Sequence, residues 1–397
     1  KYNMKILLVG EYSRLHNSLK EGLLVLGNEV TIVGTGDKFK QYPVDFSIYA
    51  RICNDNKIVN FIFKSIRKVT RFDLEKIEKA IRFYVHLPKF NDFDHVQFIN
   101  SDALETYPIL SRFLYKKLLK NIQSSSLLIC GDETPVIDYL LEKELKDSIL
   151  TPFLTDNLLK KEFHFPLKYR KVSYRKTFNW LSKNCQHLIT SDLDYEIPMQ
   201  KMGFQTTFIP NPINVDLIAF KELQTDDKIV IFLGINRLSY VRKGIVYFEK
   251  ALQIIQEKYC AKVEIIITEN IPYSEYIRIY NSAHILLDQV YANDQGYNAL
   301  EAMAQGKVVF TGAEPEFLAH YNLPQDAVCI NAVSDAYEIV KKLSFLIENP
   351  DIISGISTNA RSFIEKEHDY KLVAKKYLAI WSEKNKLSKV NTKHNKI

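Results

Sequence analysis

Asp288-Gln289-Val290-Tyr291-Ala292-Asn293-Asp294-Gln295-Gly296-Tyr297-Asn298-Ala299-Leu300-Glu301-Ala302-Met303-Ala304-Gln305-Gly306-Lys307-Val308-Val309 is the stretch whose reading decides the fold. It reads as a strand end at Asp288, a polar loop, a glycine at a turn, a helix over 297–305, a glycine stop and a new strand at 308–310. A helix linking two strands of one sheet in a right-handed crossover is the unit of a parallel sheet. Gly296 lets backbone approach a ligand closely, and the N–H groups of Tyr297 and Asn298 open a helix, a ready anion site. Glu301 follows about one turn in, where a carboxylate can accept two hydroxyls of a ribose. The plainer alternative is an ordinary loop-to-helix join with an exposed glutamate.

The same alternation extends in both directions. Upstream, strands are expected at 5–9, 30–33, 96–99, 127–130 and 187–190, with helices at 15–26, 107–121, 137–141 and 178–182 between them. Phe208-Ile209-Pro210-Asn211-Pro212-Ile213-Asn214 interrupts the pattern, and the polar residues 222–228 follow, a candidate linker. Strands at 229–233, 263–267 and 285–288 and a helix at 244–256 then restart it. Asp335 and Glu338 form a capping box that opens a helix through 345, Asn349-Pro350 breaks it, and a last helix runs over 370–382. The expected fold class is α/β, with two doubly wound Rossmann-like lobes facing a cleft. The expected domains are 1–212, a second lobe over 213–369, and 370–397, a helix that crosses back to the first lobe followed by a basic tail that frays after 384.

Composition narrows the function classes. At 397 residues the chain exceeds one ordinary core, and 46% hydrophobic residues place it with globular proteins. Its apolar runs are strand-sized, well short of the ~20 residues a membrane-spanning helix needs. Met4 to Gly10 carries five apolar residues around one lysine, too few for a signal core. The five cysteines, Cys53, Cys130, Cys185, Cys260 and Cys329, are far apart and never in a Cys-x-x-Cys pair, which fits reduced thiols in a cytoplasmic protein. No strand is followed by Gly-x-Gly-x-x-Gly, which argues against a dinucleotide-dependent dehydrogenase. The net charge of +6 is mild, but residues 160–176 hold Lys160, Lys161, Lys168, Arg170, Lys171, Arg175 and Lys176 against Glu162 alone, interleaved with aromatics. A solvated face explains that stretch, and so does a surface for anionic lipid headgroups or a phosphate-bearing acceptor. No nucleic-acid motif is present. A weaker basic stretch over 64–82 is diluted by Asp73, Glu75 and Glu78.

The stretch quoted first resembles the signature of the family 4 glycosyltransferases, which adopt the two-lobed GT-B fold. Gly296 matches the second glycine of that family's Glu-Gly-Phe-Gly, and Glu301-Ala302-Met303-Ala304-Gln305-Gly306 matches its Glu-Ala-Met-Ala-x-Gly. The resemblance implies that Glu301 holds the donor ribose. Asn293 stands where the family has the glutamate that contacts the donor sugar, and Asp294 or Asp288 is a nearby carboxylate. Gly234-Ile235-Asn236-Arg237-Leu238-Ser239-Tyr240-Val241-Arg242-Lys243-Gly244 is similar to the family's Gly-Arg…Lys-Gly segment, whose cations clamp the donor diphosphate. Lys243 matches directly, Arg237 is one residue too far from it, and Arg242 is the rival. Two cations at a cleft would stabilise the charge of a leaving diphosphate. Ile209-Pro210-Asn211-Pro212 with Val215-Asp216 resembles the interlobe hinge, and Glu316 lies where the family often carries a further glutamate.

In the first lobe Gly10 fits a close approach to the donor, and Ser13 reads as a helix N-cap. Asp102, Asp132 and Glu133 end strands that face the expected cleft and are the candidates for acceptor contact. His16, His95 and His164 are read as structural or surface residues. The resemblance implies transfer with retention of a hexose from a UDP- or GDP-sugar to a glycan or lipid-linked acceptor, in glycan or cell-surface polysaccharide synthesis. No Asp-x-Asp is singled out as a metal motif, so neither metal nor cofactor is expected. The expected location is cytoplasmic, with peripheral contact at an anionic membrane. Two other readings stay open: a GT-B nucleotide-sugar epimerase or phosphorylase, which would turn over donor without acceptor, and a non-catalytic nucleotide-sugar-binding or partner subunit, motivated by Asn293.

Overall fold

A computed structural model describes residues 3–37, 41–142, 147–223, 228–269, 271 and 273–382. Seven strands form the first sheet: β1 (Lys5–Val9), β2 (Glu29–Gly34), β3 (Phe46–Ser47), β4 (His95–Phe98), β5 (Ser124–Ile129), β6 (His187–Thr190) and β7 (Thr207–Phe208). Five form the second: β8 (Ile229–Ile235), β9 (Val263–Glu269), β10 (Ile285–Leu287), β11 (Val308–Thr311) and β12 (Ile330–Asn331). The sheet orders are β3-β2-β1-β4-β5-β6-β7 and β12-β11-β10-β8-β9, and the pairings are parallel. Helices cover both faces of such sheets, so central strands read as unbroken apolar runs. Ile6, Leu7, Leu8 and Val9 of β1 are fully buried accordingly. Each order reverses once, between β1 and β4 and between β8 and β10. Ligand crevices of doubly wound sheets open at such points, beyond the carboxyl ends of the strands.

The chain leaves the first sheet through the two prolines and returns beside its own exit. Ile213 N–H donates to His368 O at 2.7 Å, and Tyr370 N–H donates to Ile213 O at 3.1 Å. The Tyr370 hydroxyl and Lys371 ammonium both bind Asp216, at 2.8 and 2.6 Å. From that knot the helix Tyr370–Trp381, capped by Asp369, runs across the first lobe. It packs Val373, Ala374, Tyr377 and Trp381 into that lobe's core, and Trp381 stacks on His95 at 4.2 Å. Its path lies against the helix Leu15–Val25, where Gly22 gives the clearance.

The long elements read from sequence are present within a few residues. Absent from that reading are the helices Lys57–Thr70, Leu74–His86, Leu193–Lys201, Tyr273–Ser282 and Pro315–Tyr321. The basic tail after 384, and 224–227 of the candidate linker, lie outside the described residues. All five cysteines are free thiols. Among the described residues no helix is long and apolar enough to cross a membrane.

Two glycine-to-alanine changes separate local propensity from packing. Alanine stabilises a helix interior by about 0.5–1 kcal/mol relative to glycine. Gly355, in the helix Pro350–Phe363, is exposed with nothing within 4 Å of an added Cβ, so Gly355→Ala should raise stability by that amount. At Gly22 the new Cβ would sit 2.3 Å from Tyr370 O and 2.9 Å from Ala374 Cβ. Overpacking costs ~1–3 kcal/mol, so Gly22→Ala should lower stability despite its better propensity. Denaturant midpoints of the two variants check the opposite signs.

Candidate functional site

The carboxyl ends of the two sheets meet along a seam. On the first lobe the turn after β1 is strained. Gly10 has φ 88°, and a Cβ there would lie 2.4 Å from Ile99 Cγ2. Ser13 and Arg14 follow with φ 51° and 73°, uncommon for residues with a side chain. Ser13 is therefore not the helix cap expected of it; Arg14 holds that position and Ser13 N–H donates to Asp37 at 2.9 Å. Arg14 binds Ser18 at 2.8 Å and Glu21 at 2.7 Å. Burial pulls its guanidinium down, but Glu21, Tyr297 and Glu301 outweigh that and hold it above the usual arginine range. Arg14 thus faces Glu301 across the seam electrostatically. The sequence reading missed it because only Gly10 of this loop was taken as a site residue.

On the second lobe, Asp288 at the end of β10 gathers three donors. Lys243 binds Oδ1 at 2.8 Å, the Asn298 amide binds the same oxygen at 3.2 Å, and the Thr311 hydroxyl binds Oδ2 at 3.4 Å. Gly296 caps the helix Tyr297–Ala304 and keeps open space beside its backbone, with Gln289 Nε2 the nearest atom at 3.8 Å. Tyr297 spans the seam: its hydroxyl lies 2.5 Å from Ser18 Oγ and donates to Pro212 O at 2.7 Å. Gly244 turns the chain with φ 66° where a side chain would strike Val290. That turn places Arg242 and Lys243 on the rim. Arg242 Nη1 lies 4.0 Å from Asp132 of the first lobe, and its buried Nε has no hydrogen-bond partner among the described residues.

A cluster of carboxylates closes the middle of the seam. Asn293 donates its backbone N–H and its side-chain amide to Asp194 Oδ1, both at 2.8 Å. Asp294 accepts from Gln295 N–H at 2.7 Å and, across the seam, from Leu193 N–H at 3.2 Å. Burial pushes Asp294 up to about 7; the two N–H bonds oppose this and Asp194 adds to it. Burial also raises Asp194, and it raises Asp192 strongly, with Asp194 and Asp294 as like-charge neighbours. Asp192 Oδ1 is buried without a hydrogen-bond partner among the described residues. Asp192-Leu193-Asp194 is an Asp-x-Asp tripeptide that the sequence reading did not single out. Among the described residues no group of three or more His, Cys, Asp or Glu is placed to hold a metal ion.

The structure divides the residues named from sequence. It brings Gly10, Arg242, Lys243, Asn293, Asp294, Gly296, Tyr297, Asn298, Glu301 and Asp132 to the two rims of the seam. Gly234 lies within β8, short of the rim. Arg237 is not brought in: it is held by Glu269 at 2.8 and 2.6 Å at the exposed edge of the sheet, so Arg242 is the arginine that meets the other lobe. Glu133 is fully buried and binds Ser101 N–H, Ser101 Oγ and Thr134 N–H, contacts that tie together the loops after β4 and β5. Asp102 is paired with Lys168 at 2.8 Å. Lys168 sits over Phe165, Tyr169 and Tyr174 at 3.9, 4.8 and 5.4 Å, so it belongs to this interior pair rather than to the basic surface of residues 160–176. Glu316 lies in the first turn of Pro315–Tyr321. His16 and His95 are buried, bonded to Gly10 O and to Ser124 and Ser126, and His164 is exposed. A cavity of about 760 Å³ lined by Lys221, Lys228, Glu264 and His284 lies at the amino ends of β8 to β10, away from the seam.

Comparison with known proteins gives the architecture its name. Residues 243–379 match a family profile described as "Glycosyl transferase-like". The fold is similar over 96% of this chain and 98% of the other to sucrose-phosphate synthase from Thermosynechococcus elongatus, at 15% identity and TM-score 0.60. It is similar to Anabaena HepE, in a structure with UDP and glucose, over 95% and 99% of the two chains, at 12% identity and TM-score 0.57. A glycosyltransferase from Rickettsia africae aligns over 96% and 99%, at 14% identity and TM-score 0.54. No curated protein matches the sequence. At these identities the likeness speaks for the fold: two Rossmann-like lobes facing a cleft, the GT-B architecture.

The buried seam carries a pH dependence. Asp294 has its folded value raised from 3.8 to about 7, so its contribution to stability is complete below pH 3.8 and is lost as pH rises through about 7. Glu133, raised to about 7, and Glu11, raised to about 8, add slopes of the same sign. Asp294→Asn should remove part of the fall in melting temperature over that window and leave the rest. An unchanged slope in the variant would show that Asp294 is ionised throughout.

Proposed function

We propose that this protein transfers a hexose-type sugar from a nucleoside-diphosphate sugar to an acceptor hydroxyl, with retention of configuration, in glycan or cell-surface polysaccharide synthesis. The observation that carries this reading is the pairing of two cations with a helix start. Lys243 shares Asp288 with Asn298 of the helix that Gly296 opens, Arg242 beside it faces Asp132 of the other lobe, and Glu301 follows one turn inside. A diphosphate placed there meets two positive side chains and the N–H groups of a helix N-terminus. Glu301 then accepts the ribose hydroxyls. The sequence resemblance supports the same roles, and HepE, a structural relative, has been solved with UDP and with UDP-glucose.

The chemistry follows from charge. As the sugar leaves, negative charge develops on the diphosphate, and fixed cations aimed at it lower the barrier. The departing phosphate oxygen takes the proton of the acceptor hydroxyl on the same face, so the protein needs no nucleophile of its own. Its work is to position both substrates. Asp132 and Asp102 on the first lobe are the acceptor-side groups of this reading. Because cationic side chains meet the diphosphate, the reading includes no divalent ion, and transfer should survive a chelator.

One observation favours a second reading. Asn293 and Asp194 hold each other where the resemblance places a sugar contact, as in a subunit that binds a nucleotide sugar without transferring it. Thermal unfolding against UDP, GDP and ADP, free and sugar-linked, tests the donor site. A ligand at ~100 times its Kd adds about 2.7 kcal/mol of stability. We expect a base-selective shift that Glu301→Ala and Arg242→Ala each abolish. No shift with any nucleotide would remove the donor reading, whereas a shift without transfer to any hydroxyl acceptor would favour the binding subunit.

A further inference from the structure

The helix Lys57–Thr70 contributes no buried residue to the lobe that carries it. Val59, Asn60, Phe63 and Ile66 lean on the protein and are partly covered. The apolar face continues past these residues into solvent. Ile58, Phe61, Ile62 and Val69 are 72, 71, 47 and 83% exposed, at the i, i+3, i+4 and i+11 spacing of one stripe. At ~1.5 Å per residue the stripe runs about 16 Å. Ile52 just before the helix and Phe72 just after it are exposed too.

The charge that accompanies this stripe has a single sign. From Asn56 to Phe72 the chain carries Lys57, Lys64, Arg67, Lys68 and Arg71 and no acidic residue. All five are exposed, and among the described residues Arg67 alone of them is paired with a carboxylate, Asp73 at 3.5 Å. The side chain of Asn56 caps the helix by accepting from Ile58 and Val59 N–H, so the helix is defined without burial. A solvent-facing helix gains nothing from exposing four large apolar side chains, whereas an apolar face backed by lysine and arginine matches the boundary between headgroups and acyl chains. A second copy of this chain fits poorly, because a two-fold contact through the stripe brings like-charged rims together.

We infer that the helix Lys57–Thr70 is an interfacial element that seats the first lobe on an anionic bilayer, with Ile58, Phe61, Ile62 and Val69 entering the headgroup boundary. The position of the helix gives this consequence. Its far end is tied to the loop after β4: Tyr107 stacks on Phe72 at 5.6 Å and its hydroxyl bonds to Asp73 N–H at 2.5 Å. Lys79 holds Glu105 of that loop at 3.1 Å, and Asp102 lies in the same loop. A bilayer-seated helix therefore sets the seam-facing end of the first lobe beside the lipid surface. The basic residues 160–176, favoured for this role from sequence, have Lys168 turned inward and Arg175 paired with Asp138 at 2.5 Å.

Co-sedimentation of the full chain with vesicles tests this without any donor or acceptor. One set is phosphatidylcholine alone and the other an equal mixture with phosphatidylglycerol. We expect binding to the anionic set, weakened by salt. Lys57→Glu/Lys64→Glu/Lys68→Glu should reduce it on the order of a hundredfold, taking ~1 kcal/mol per lost cation. Phe61→Ser/Val69→Ser should abolish it with the rim intact, and Arg170→Glu/Lys171→Glu should leave it unchanged. All these residues are exposed, so an unaltered melting temperature confirms that each variant folds. The inference is overturned if both vesicle sets bind alike, if only Arg170→Glu/Lys171→Glu reduces binding, or if the wild type sediments as a dimer that Phe61→Ser/Val69→Ser converts to a monomer.

Discussion

The pair of backbone bonds at Ile213 is the constraint on which the rest of the molecule depends. Ile213 donates to His368 on one side and accepts from Tyr370 on the other, so the chain's exit from the first lobe and its return are held as one short parallel ladder. Each parallel sheet carries its binding crevice beyond the carboxyl ends of its strands. Only a joint that turns those two ends toward each other makes one site of two crevices. The prolines beside Ile213 cannot donate backbone hydrogen bonds and restrict the chain's path, and the final helix anchors the return strand in the first core through Tyr377 and Trp381. Asn214 adds a direct tie to Glu21 at 2.6 Å.

How much of this was legible in the sequence follows from where the information sits. Central strands such as 5–9 and 229–233 are covered on both faces, so burial writes itself as a continuous apolar run. The site's glycines were legible for a related reason, since Gly244 and Gly296 stand where a turn or an open backbone is needed. The helix Lys57–Thr70 was passed over because its stretch was read for its basic residues, although its apolar residues fall on one face at helical spacing. The seam was also out of reach. Asp194 and Asn293 are 99 positions apart, and nothing local announces that they bond. Arg237 and Arg242 could not be ranked by spacing, because Glu269, which captures Arg237, comes from the neighbouring strand.

Asn293 takes a different meaning from this geometry than from the motif alone. Set against the family pattern it is a missing carboxylate. In the folded chain it is the donor that Asp194 requires. A glutamate at this position would face Asp194 with Asp192 and Asp294 close by, all three already raised by burial, Asp192 and Asp294 by the like charge of Asp194 as well. An amide satisfies Asp194 twice and adds no charge. The departure and the first-lobe Asp194 are therefore a matched pair, and a substitution at one is interpretable only with the other.

The matched pair also bears on how a donor would enter. The seam holds Asp132, Asp192, Asp194, Asp288, Asp294 and Glu301 against Arg14, Arg242 and Lys243. Burial raises Asp132, Asp192, Asp194 and Asp294 above the usual carboxylate range, which lowers the cost of that negative excess. A diphosphate brings further negative charge to the same place. On the proposed reading it draws Arg242 away from Asp132, a contact between the lobes, and takes Lys243 from Asp288 within the second lobe. Asp288 keeps the Asn298 amide and the Thr311 hydroxyl, so the end of β10 and the start of the helix Tyr297–Ala304 stay joined while the donor is held.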